Sequence, residues 1–389
     1  MQNHLPVTAA ARSRSLPLAQ SQSFALPLLF TVFGVIMGSW AGRIPAMAER
    51  VHVSHSALSM VLLCGGLGAV LSYPISSRMM SSFGARKTML FSGLALLAVL
   101  VAIGGAPTVP LLMMAVLGLG ITASTFDVAV NSAATRREKQ SGKSELAKLH
   151  GLGCAGGLAG ATLGSLMAGL HIAPLTHFVM LAGPLALALY YGHASLDADD
   201  AGEVVEKKSF SLPRGPLLFL GALGFFGSMA EGSIADWSGV FLKEHFGASD
   251  GLAPLALSSF SVMMLLARLV GDKLKVRYGA RSLVTSGSML GAAGLFFAVL
   301  SPNAWFALFG FAVAGMGLAL VFPFVFSAAG AQGPAALAGV ASMAYSGSLM
   351  GPPVIGAIAQ GMGMQIAIAY IGGLACLIAF VASRSRLLK

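Results

Sequence analysis

Four ionisable side chains interrupt long apolar stretches of this chain: Arg43, Asp127, Glu231 and Asp236. A charge inside a membrane-spanning helix costs about 2.5–3.5 kcal/mol on insertion scales, so each of these residues needs a reason to be there. Intramembrane carboxylates relay protons or contact solutes, and an intramembrane cation usually pairs with a carboxylate. The chemistry open to these four residues is therefore proton transfer and the binding of charged groups.

Glu231 is the first candidate for carrying a proton. It lies 15 residues after Pro216, which is about 22 Å along a helix at 1.5 Å per residue, so we predict that it lies in the outer half of its span. Ser228 approaches from the same side and is a candidate cavity residue. The alternative interpretation is a structural hydrogen bond to a neighbouring helix.

Asp127 is the second candidate for proton coupling. Ser124, Asp127 and Asn131 follow one another at i, i+3 and i+7, a spacing that puts all three on one face of a helix. Contact with a proton or a solute is one interpretation of this stripe. The other is a latch between Asp127 and the basic loop residues at the inner end of the helix.

Arg43 and Asp236 are candidates for an outer gate, because both lie near the predicted outer ends of their spans. The alternative for Asp236 is an interfacial charge that simply reaches water beside Trp237. Four aromatic residues, Trp40, Phe322, Phe324 and Tyr345, are candidates for a cavity wall, although aromatic residues in membranes mostly serve packing. Few amides fall in or beside the apolar segments, whereas a sugar site gathers several, so we expect a smaller or more amphipathic solute.

The elements that must position these residues are transmembrane helices. Hydrophobic residues make up 56% of the chain and charged residues 10%, against roughly 25% charged in soluble domains, so most of the surface must face membrane lipids. A span needs about 20 apolar residues. The sequence predicts twelve such spans, near 24–41, 56–76, 88–106, 109–130, 147–170, 176–192, 216–237, 252–270, 283–300, 304–327, 337–359 and 365–381.

One sequence pattern occurs twice in the chain. Gly84-Ala85-Arg86 returns as Gly279-Ala280-Arg281, 195 positions later, and the pair Gly153/Gly157 returns as Gly347/Gly351. Such repeats build pseudo-symmetric transporters with a site between the halves. We predict an all-α membrane protein with two six-helix bundles, and we expect a monomer. The predicted parts are a tail (1–23), a first bundle (24–192), a linker (193–214), a second bundle (215–383) and a short tail (384–389).

The basic residues predict the orientation. With both termini in the cytoplasm, 21 of the 24 Lys and Arg residues, Arg268 among them, lie on the cytoplasmic side, as the positive-inside rule requires. The net charge of +10 is spread over short loops, so we expect no nucleic-acid partner. The three cysteines lie far apart without metal-ligand spacing, and we predict neither a metal site nor a cofactor.

The duplicated loop resembles the signature of the major facilitator superfamily, approximately G-x-x-x-D-R-x-G-R-[KR]. The first copy keeps Gly84, Arg86 and Lys87, with Ser76 and Ser77 in place of the leading Gly and Asp; the second keeps Gly271, Asp272, Gly279 and Arg281. Three segments (127–138, 231–242 and 345–356) resemble the YbjJ-like bacterial inner-membrane permeases, relatives of the fucose permease group. The resemblance implies twelve helices, a bacterial inner-membrane location and a cavity lined by the first and fourth helices of each half.

The predicted function is secondary active transport of a small organic solute by alternating access, coupled to protons as a symporter. A proton-driven multidrug efflux antiporter is the alternative within transport, although the Gly-Pro signature of such antiporters is absent from the fifth span. A solute sensor on the same fold is a further alternative. The chain has neither a phosphate-binding loop for ATP nor an intramembrane protease motif, so we expect no enzyme.

Overall fold

A computed structural model describes residues 16–141, 146–196 and 213–388, and all of their regular structure is α-helical. The helices are α1 (Leu16–Arg50), α2 (His55–Gly105), α3 (Val109–Ser141), α4 (Leu146–Gly169), α5 (Pro174–Ala194), α6 (Pro216–Phe246), α7 (Leu255–Tyr278), α8 (Ala280–Leu300), α9 (Ala304–Leu318), α10 (Val321–Gly330), α11 (Pro334–Met362) and α12 (Met364–Arg384). The predicted all-α fold is confirmed. Most of the predicted linker and of the amino-terminal tail lies outside the described residues.

The twelve helices differ from the twelve predicted spans in two places. The helix α2 is 51 residues long and holds the second and third spans, which meet at Gly84, where the backbone leaves helical geometry (φ 74°, ψ 170°). Conversely, α9 and α10 together make the tenth span. Within the described ranges, nine helical stretches are long and apolar enough to cross a membrane, and His55–Gly105 is long enough to cross twice.

The repeated glycine has the same role in both halves. Gly279 separates α7 from α8 with φ 75° and ψ 151°, close to the values at Gly84. L-residues with a Cβ rarely adopt a positive φ, whereas glycine does so without steric cost. The two copies of the loop motif therefore make the same turn, as the duplication predicts.

The order of helix packing also repeats. In the first half (α1–α5), α1 packs on α4 and α2 packs on both α3 and α5; in the second half (α6–α12), α6 packs on α11, α7 on α9 and α8 on α12. The repeated glycines serve the first of these contacts. A Cβ on Gly38 would lie 1.9 Å from the Gly157 carbonyl oxygen, and one on Gly347 would lie 2.0 Å from that of Phe225. Small residues let these helices approach backbone to backbone.

The two ends of the helix array differ. We call the end where α1 stops and α2 starts the far end, and the end where α5 stops and α6 starts the linker end. The halves meet through α2 on α11, α4 on α7 and α1 on α6. Hydrogen bonds and ion pairs join the halves from the far end to the middle of this seam. The halves are therefore joined at the far end.

Candidate functional site

The centre of the seam holds a carboxylate beside a guanidinium. Glu231 lies 15 residues from either end of α6, and its Oε2 is 3.6 Å from Nη2 of Arg268 on α7. Both side chains are partly open, at 32% and 24% exposure. The sequence placed Glu231 in the outer half of its span, and this was wrong, because α6 continues nine residues past Trp237 to a left-handed cap at Gly247.

Arg268 is the functional residue that the sequence analysis missed. It was counted among the cytoplasmic loop cations, but α7 extends to Tyr278, which places Arg268 well inside the helix. Its signal was available, since an arginine interrupts the apolar run MMLLARLV, and an intramembrane charge implies a partner. The partner lies on another helix, and the periodicity of a single helix does not identify it.

A break between α9 and α10 anchors Arg268. Proline has no N–H, so Pro323 leaves unpaired the carbonyl four residues earlier, that of Ala319. The chain leaves α9 after Leu318 and enters α10 at Val321, and the Arg268 Nε–H donates to the freed Ala319 oxygen at 3.0 Å. Gly271 lies against this break, where a Cβ would come within 2.6 Å of Leu320. The break near Pro323 thus provides a backbone acceptor that holds the guanidinium.

Arg268 also reaches the first half of the chain. Its Nη1 lies 3.5 Å from the thiol of Cys154 on α4, and Cys154 is exposed. Further toward the far end, Thr162 and Ser258 hydroxyls continue the contact between α4 and α7 at 3.5 Å. The central pair therefore sits on the seam itself, with contacts to both halves.

A second polar cluster lies on the linker side of the centre. The Asn131 amide donates to the Asp127 carboxylate and carbonyl, both at 2.9 Å, which confirms that they share a helix face. Asp127 also lies close enough to Tyr73 on α2 and Tyr345 on α11 to interact with both phenols electrostatically. Tyr345 is 63% exposed. This cluster includes a predicted cavity residue from each half.

The structure does not bring Arg43 and Asp236 together. Arg43 is 2% exposed, and its guanidinium donates to the carbonyls of Gly164 and Ile172, at 3.4 and 2.5 Å. These carbonyls belong to the same half of the chain, so Arg43 ties α1 to α4 and to the turn that follows it. A buried guanidinium is stabilised by such backbone oxygens, which explains its place inside the first half.

Other ion pairs close the far end. Lys243 at the end of α6 contacts Glu49 of α1, and it also pairs with Asp250 at 2.5 Å. His55 Nε2 lies 2.8 Å from both carboxylate oxygens of Glu244. We call the cross-half pairs Lys243–Glu49 and His55–Glu244 the far-end clasp. The two residues predicted as an outer gate take no part in it.

The remaining predicted cavity residues divide into buried and partly exposed ones. Trp40 and Phe324 are buried at 6% and 4% exposure, and Lys275 lies over the Phe324 ring, so both belong to the core. Phe322 is partly exposed and stacks on Phe326, with ring centroids 5.6 Å apart. Ser124 and Ser228 are partly exposed as well.

The loop motif has a structural role in the first half. The Arg86 Nε–H donates to the His193 carbonyl at 2.8 Å, at the end of α5, where helix carbonyls lack intrahelical partners. Lys87 and Arg281 are exposed, and nothing is described of the Asp272 side chain. Within the described residues, no three His, Cys, Asp or Glu side chains gather closely enough to hold a metal ion.

The sequence profile of the Major Facilitator Superfamily matches residues 23–348. The chain belongs to this superfamily. Among its relatives, a Yersinia pestis protein described as an uncharacterized MFS-type transporter is 32% identical over 370 residues, or 94% of this chain and 95% of that protein. An uncharacterized transporter of Sinorhizobium fredii is 31% identical over 364 residues (91% and 95%), and the membrane protein MosC of Rhizobium meliloti is 30% identical over 352 residues (89% and 86%).

Solved structures share the fold at low identity. A bacterial homologue of the human lysosomal transporter Spinster, in an inward-facing and occupied conformation, aligns with a TM-score of 0.74 at 14% identity, over 96% of this chain and 98% of that one. A point mutant of the nucleoside transporter NupG aligns with a TM-score of 0.71 at 14% identity, over 95% and 100%. The chain is therefore a multi-pass membrane transporter of the superfamily and not an enzyme.

Proposed function

We propose that this transporter is a proton-coupled symporter that takes up a small organic solute, with Glu231 as the proton carrier. The observation that carries this proposal is the Glu231–Arg268 pair at the middle of α6. A carboxylate at that depth is costly when it is charged and alone. Its charge is tolerated while Arg268 is beside it, and a proton replaces that partner when Arg268 moves away.

The proton and the movement of the halves are linked through Arg268. This residue contacts Glu231 and Ala319 in the second half and Cys154 in the first half. Protonation of Glu231 removes its attraction for Arg268, which frees the guanidinium to change partner as the seam opens or closes. A coupled transporter requires such a dependence, since a ligand shifts a conformational equilibrium only by its differential affinity for the two states.

The predicted orientation gives the conformational state that we propose. The basic loops predict that the linker end, with both chain termini, is cytoplasmic. The contacts between the halves at the far end then fit an inward-facing state, from which solute and proton leave to the cytoplasm. The motifs shared with YbjJ-like permeases favour a permease over an efflux antiporter, and Asp127 is the second candidate for the proton.

Uptake into proteoliposomes tests the coupling. A thermal-shift screen of the purified protein against sugars, amino acids, organic acids and cationic drugs identifies the solute, because a ligand that binds the native state raises its melting temperature. We then expect Glu231→Gln to abolish accumulation driven by a pH gradient while solute exchange continues. Asp127→Asn tests the second candidate, and it should keep gradient-driven accumulation if Glu231 carries the proton. Undiminished accumulation by Glu231→Gln would reject Glu231 as the carrier.

A further inference from the structure

We infer that the terminal edge of the Arg268 guanidinium is a binding site for the carboxylate of the transported solute, which is a small organic anion with an apolar body. This inference rests on the proposed transport function and adds the chemical class of the substrate. It follows from the hydrogen bonds that the guanidinium already makes, from the charge balance with Glu231, and from the residues around the pair.

Among the contacts that the described residues make with Arg268, one hydrogen bond to an oxygen has ordinary length, and it uses the inner donor. The Nε–H bonds to Ala319 at 3.0 Å, which fixes the plane of the group. One terminal nitrogen contacts the Cys154 thiol at 3.5 Å, and a thiol is a weak acceptor. The other lies 3.6 Å from the Glu231 carboxylate, whereas N–H···O bonds measure about 2.7–3.2 Å. The edge that binds carboxylates in bidentate fashion is thus positioned but poorly occupied.

A solute carboxylate and a proton can replace Glu231 together. When Glu231 accepts a proton, the pair becomes a neutral acid beside a cation, and an entering monoanion restores neutrality at Arg268. One proton and one monoanion then enter together and no net charge is added to the site. A cationic solute would bring a second positive charge to Arg268 in the same step, so the exchange favours an anion.

The surroundings fit an apolar body. Gly227 lies about one helical turn before Glu231 on α6, and a Cβ on Gly227 would be 3.8 Å from the Phe322 ring. Phe322 in turn stacks on Phe326. The described residues offer no amide side chain among the contacts of Glu231 and Arg268. A solute with many hydroxyl groups would leave those groups unpaired, which is costly, whereas an aromatic or aliphatic acid would not.

Cys154 is a built-in reporter of this site, because its thiol lies beside the terminal nitrogens. We propose to measure its reaction with two methanethiosulfonates of similar size, one bearing a sulfonate and one a trimethylammonium group, in the purified full-length protein with Cys64→Ser and Cys376→Ser. The thiolate attacks the reagent, a disulfide forms and methanesulfinate leaves. The ratio of the two rates reports the preference for an anion and cancels the thiolate fraction at each pH.

In Glu231→Gln, which imitates the protonated acid, the sulfonate reagent should react about tenfold faster than the cationic one at any pH, as expected for an uncompensated guanidinium nearby. In the parent protein the ratio should rise toward that value as the pH is lowered, as more of the Glu231 carboxylate takes up a proton. Benzoate should slow labelling in Glu231→Gln, whereas benzamide, its neutral counterpart, should not. Arg268→Lys should keep the rate ratio and lose protection by benzoate, because lysine lacks the planar edge.

Four results would each reject a different part of the proposal. An equal or inverted rate ratio in Glu231→Gln would overturn the anion site, and protection by benzylamine but not benzoate in the parent protein would assign the site to amines instead. Equal protection by benzoate in Arg268→Lys would reject the bidentate edge. A high ratio in Glu231→Gln without any pH dependence in the parent protein would reject proton coupling at Glu231 while the anion site stands.

Discussion

Removal of the cross-half pair at Lys243 should loosen the far end of the transporter. Lys243 on α6 holds two carboxylates, Glu49 of the first half and Asp250 of its own half. Of these two ion pairs, only the one with Glu49 joins the halves. Glu49→Gln should therefore shift the equilibrium toward a state open at the far end. Asp250→Asn should shift it less, because between the halves it removes only the longer-range attraction of Asp250 for Arg43.

The expected size of the shift is modest. Glu49 is 61% exposed and Lys243 is 12% exposed, so water screens the pair, and such pairs contribute about 0.2–1 kcal/mol. A loss of about 0.5–1 kcal/mol multiplies the ratio of open to closed far ends by about two to five. The second clasp pair, His55–Glu244, is also partly exposed, at 25% and 43%, so Glu244→Gln should act in the same direction and by a similar amount.

Double electron–electron resonance measures this ratio. Spin labels at Leu170→Cys and Trp305→Cys, with the native cysteines replaced by serine, would report the separation of the halves at the far end, because both positions are exposed. We expect a longer-distance population to grow in Glu49→Gln and in Glu244→Gln and to grow less in Asp250→Asn. A shift in Asp250→Asn as large as that in Glu49→Gln would show that the clasp does not set the equilibrium.

Two further predictions concern glycines. Gly38→Ala should lower the melting temperature by several degrees, because its Cβ would meet the Gly157 carbonyl oxygen at 1.9 Å and overpacking costs about 1–3 kcal/mol. Gly157→Ala is the control. Its Cβ would have no neighbour nearer than 3.8 Å, so this substitution should be tolerated. Gly279→Ala should cost about 1–2 kcal/mol through its positive φ alone, since its Cβ would meet nothing within 4 Å. Gly373→Ala, in equally open space but with helical φ, should not destabilise, and equal losses in a thermal melt would refute the conformational argument.

The fold could be predicted because its signals are local or repeated. Apolar runs define the helices, and the repeated Gly84 and Gly279 make the same turn in each half. The close approach at Gly157 and the break near Pro323 follow equally from residue type. Each of these features depends on the backbone of one segment or on a helix contact whose residues recur in both halves.

The site was harder to predict because it depends on pairings between helices. The sequence singled out Glu231, but its partner Arg268 was assigned to a loop, since the apolar run ends soon after it while the helix continues. Arg43 looked like a gate residue, yet its two terminal nitrogens donate to carbonyls of its own half. The sequence indicates how deep along a helix a charged residue lies, but it does not indicate which neighbouring helix its side chain contacts.

The most direct test of alternating access at this seam is the sidedness of Cys154 labelling. In oriented membrane vesicles with Cys154 as the sole cysteine, a membrane-impermeant thiol reagent should label it from the cytoplasmic face and not from the opposite face. Glu49→Gln combined with Glu244→Gln should add access from the opposite face and reduce access from the cytoplasm. If loosening the clasp left cytoplasmic access unchanged while opposite-face access rose, both faces would reach the site at once, and alternating access would be contradicted.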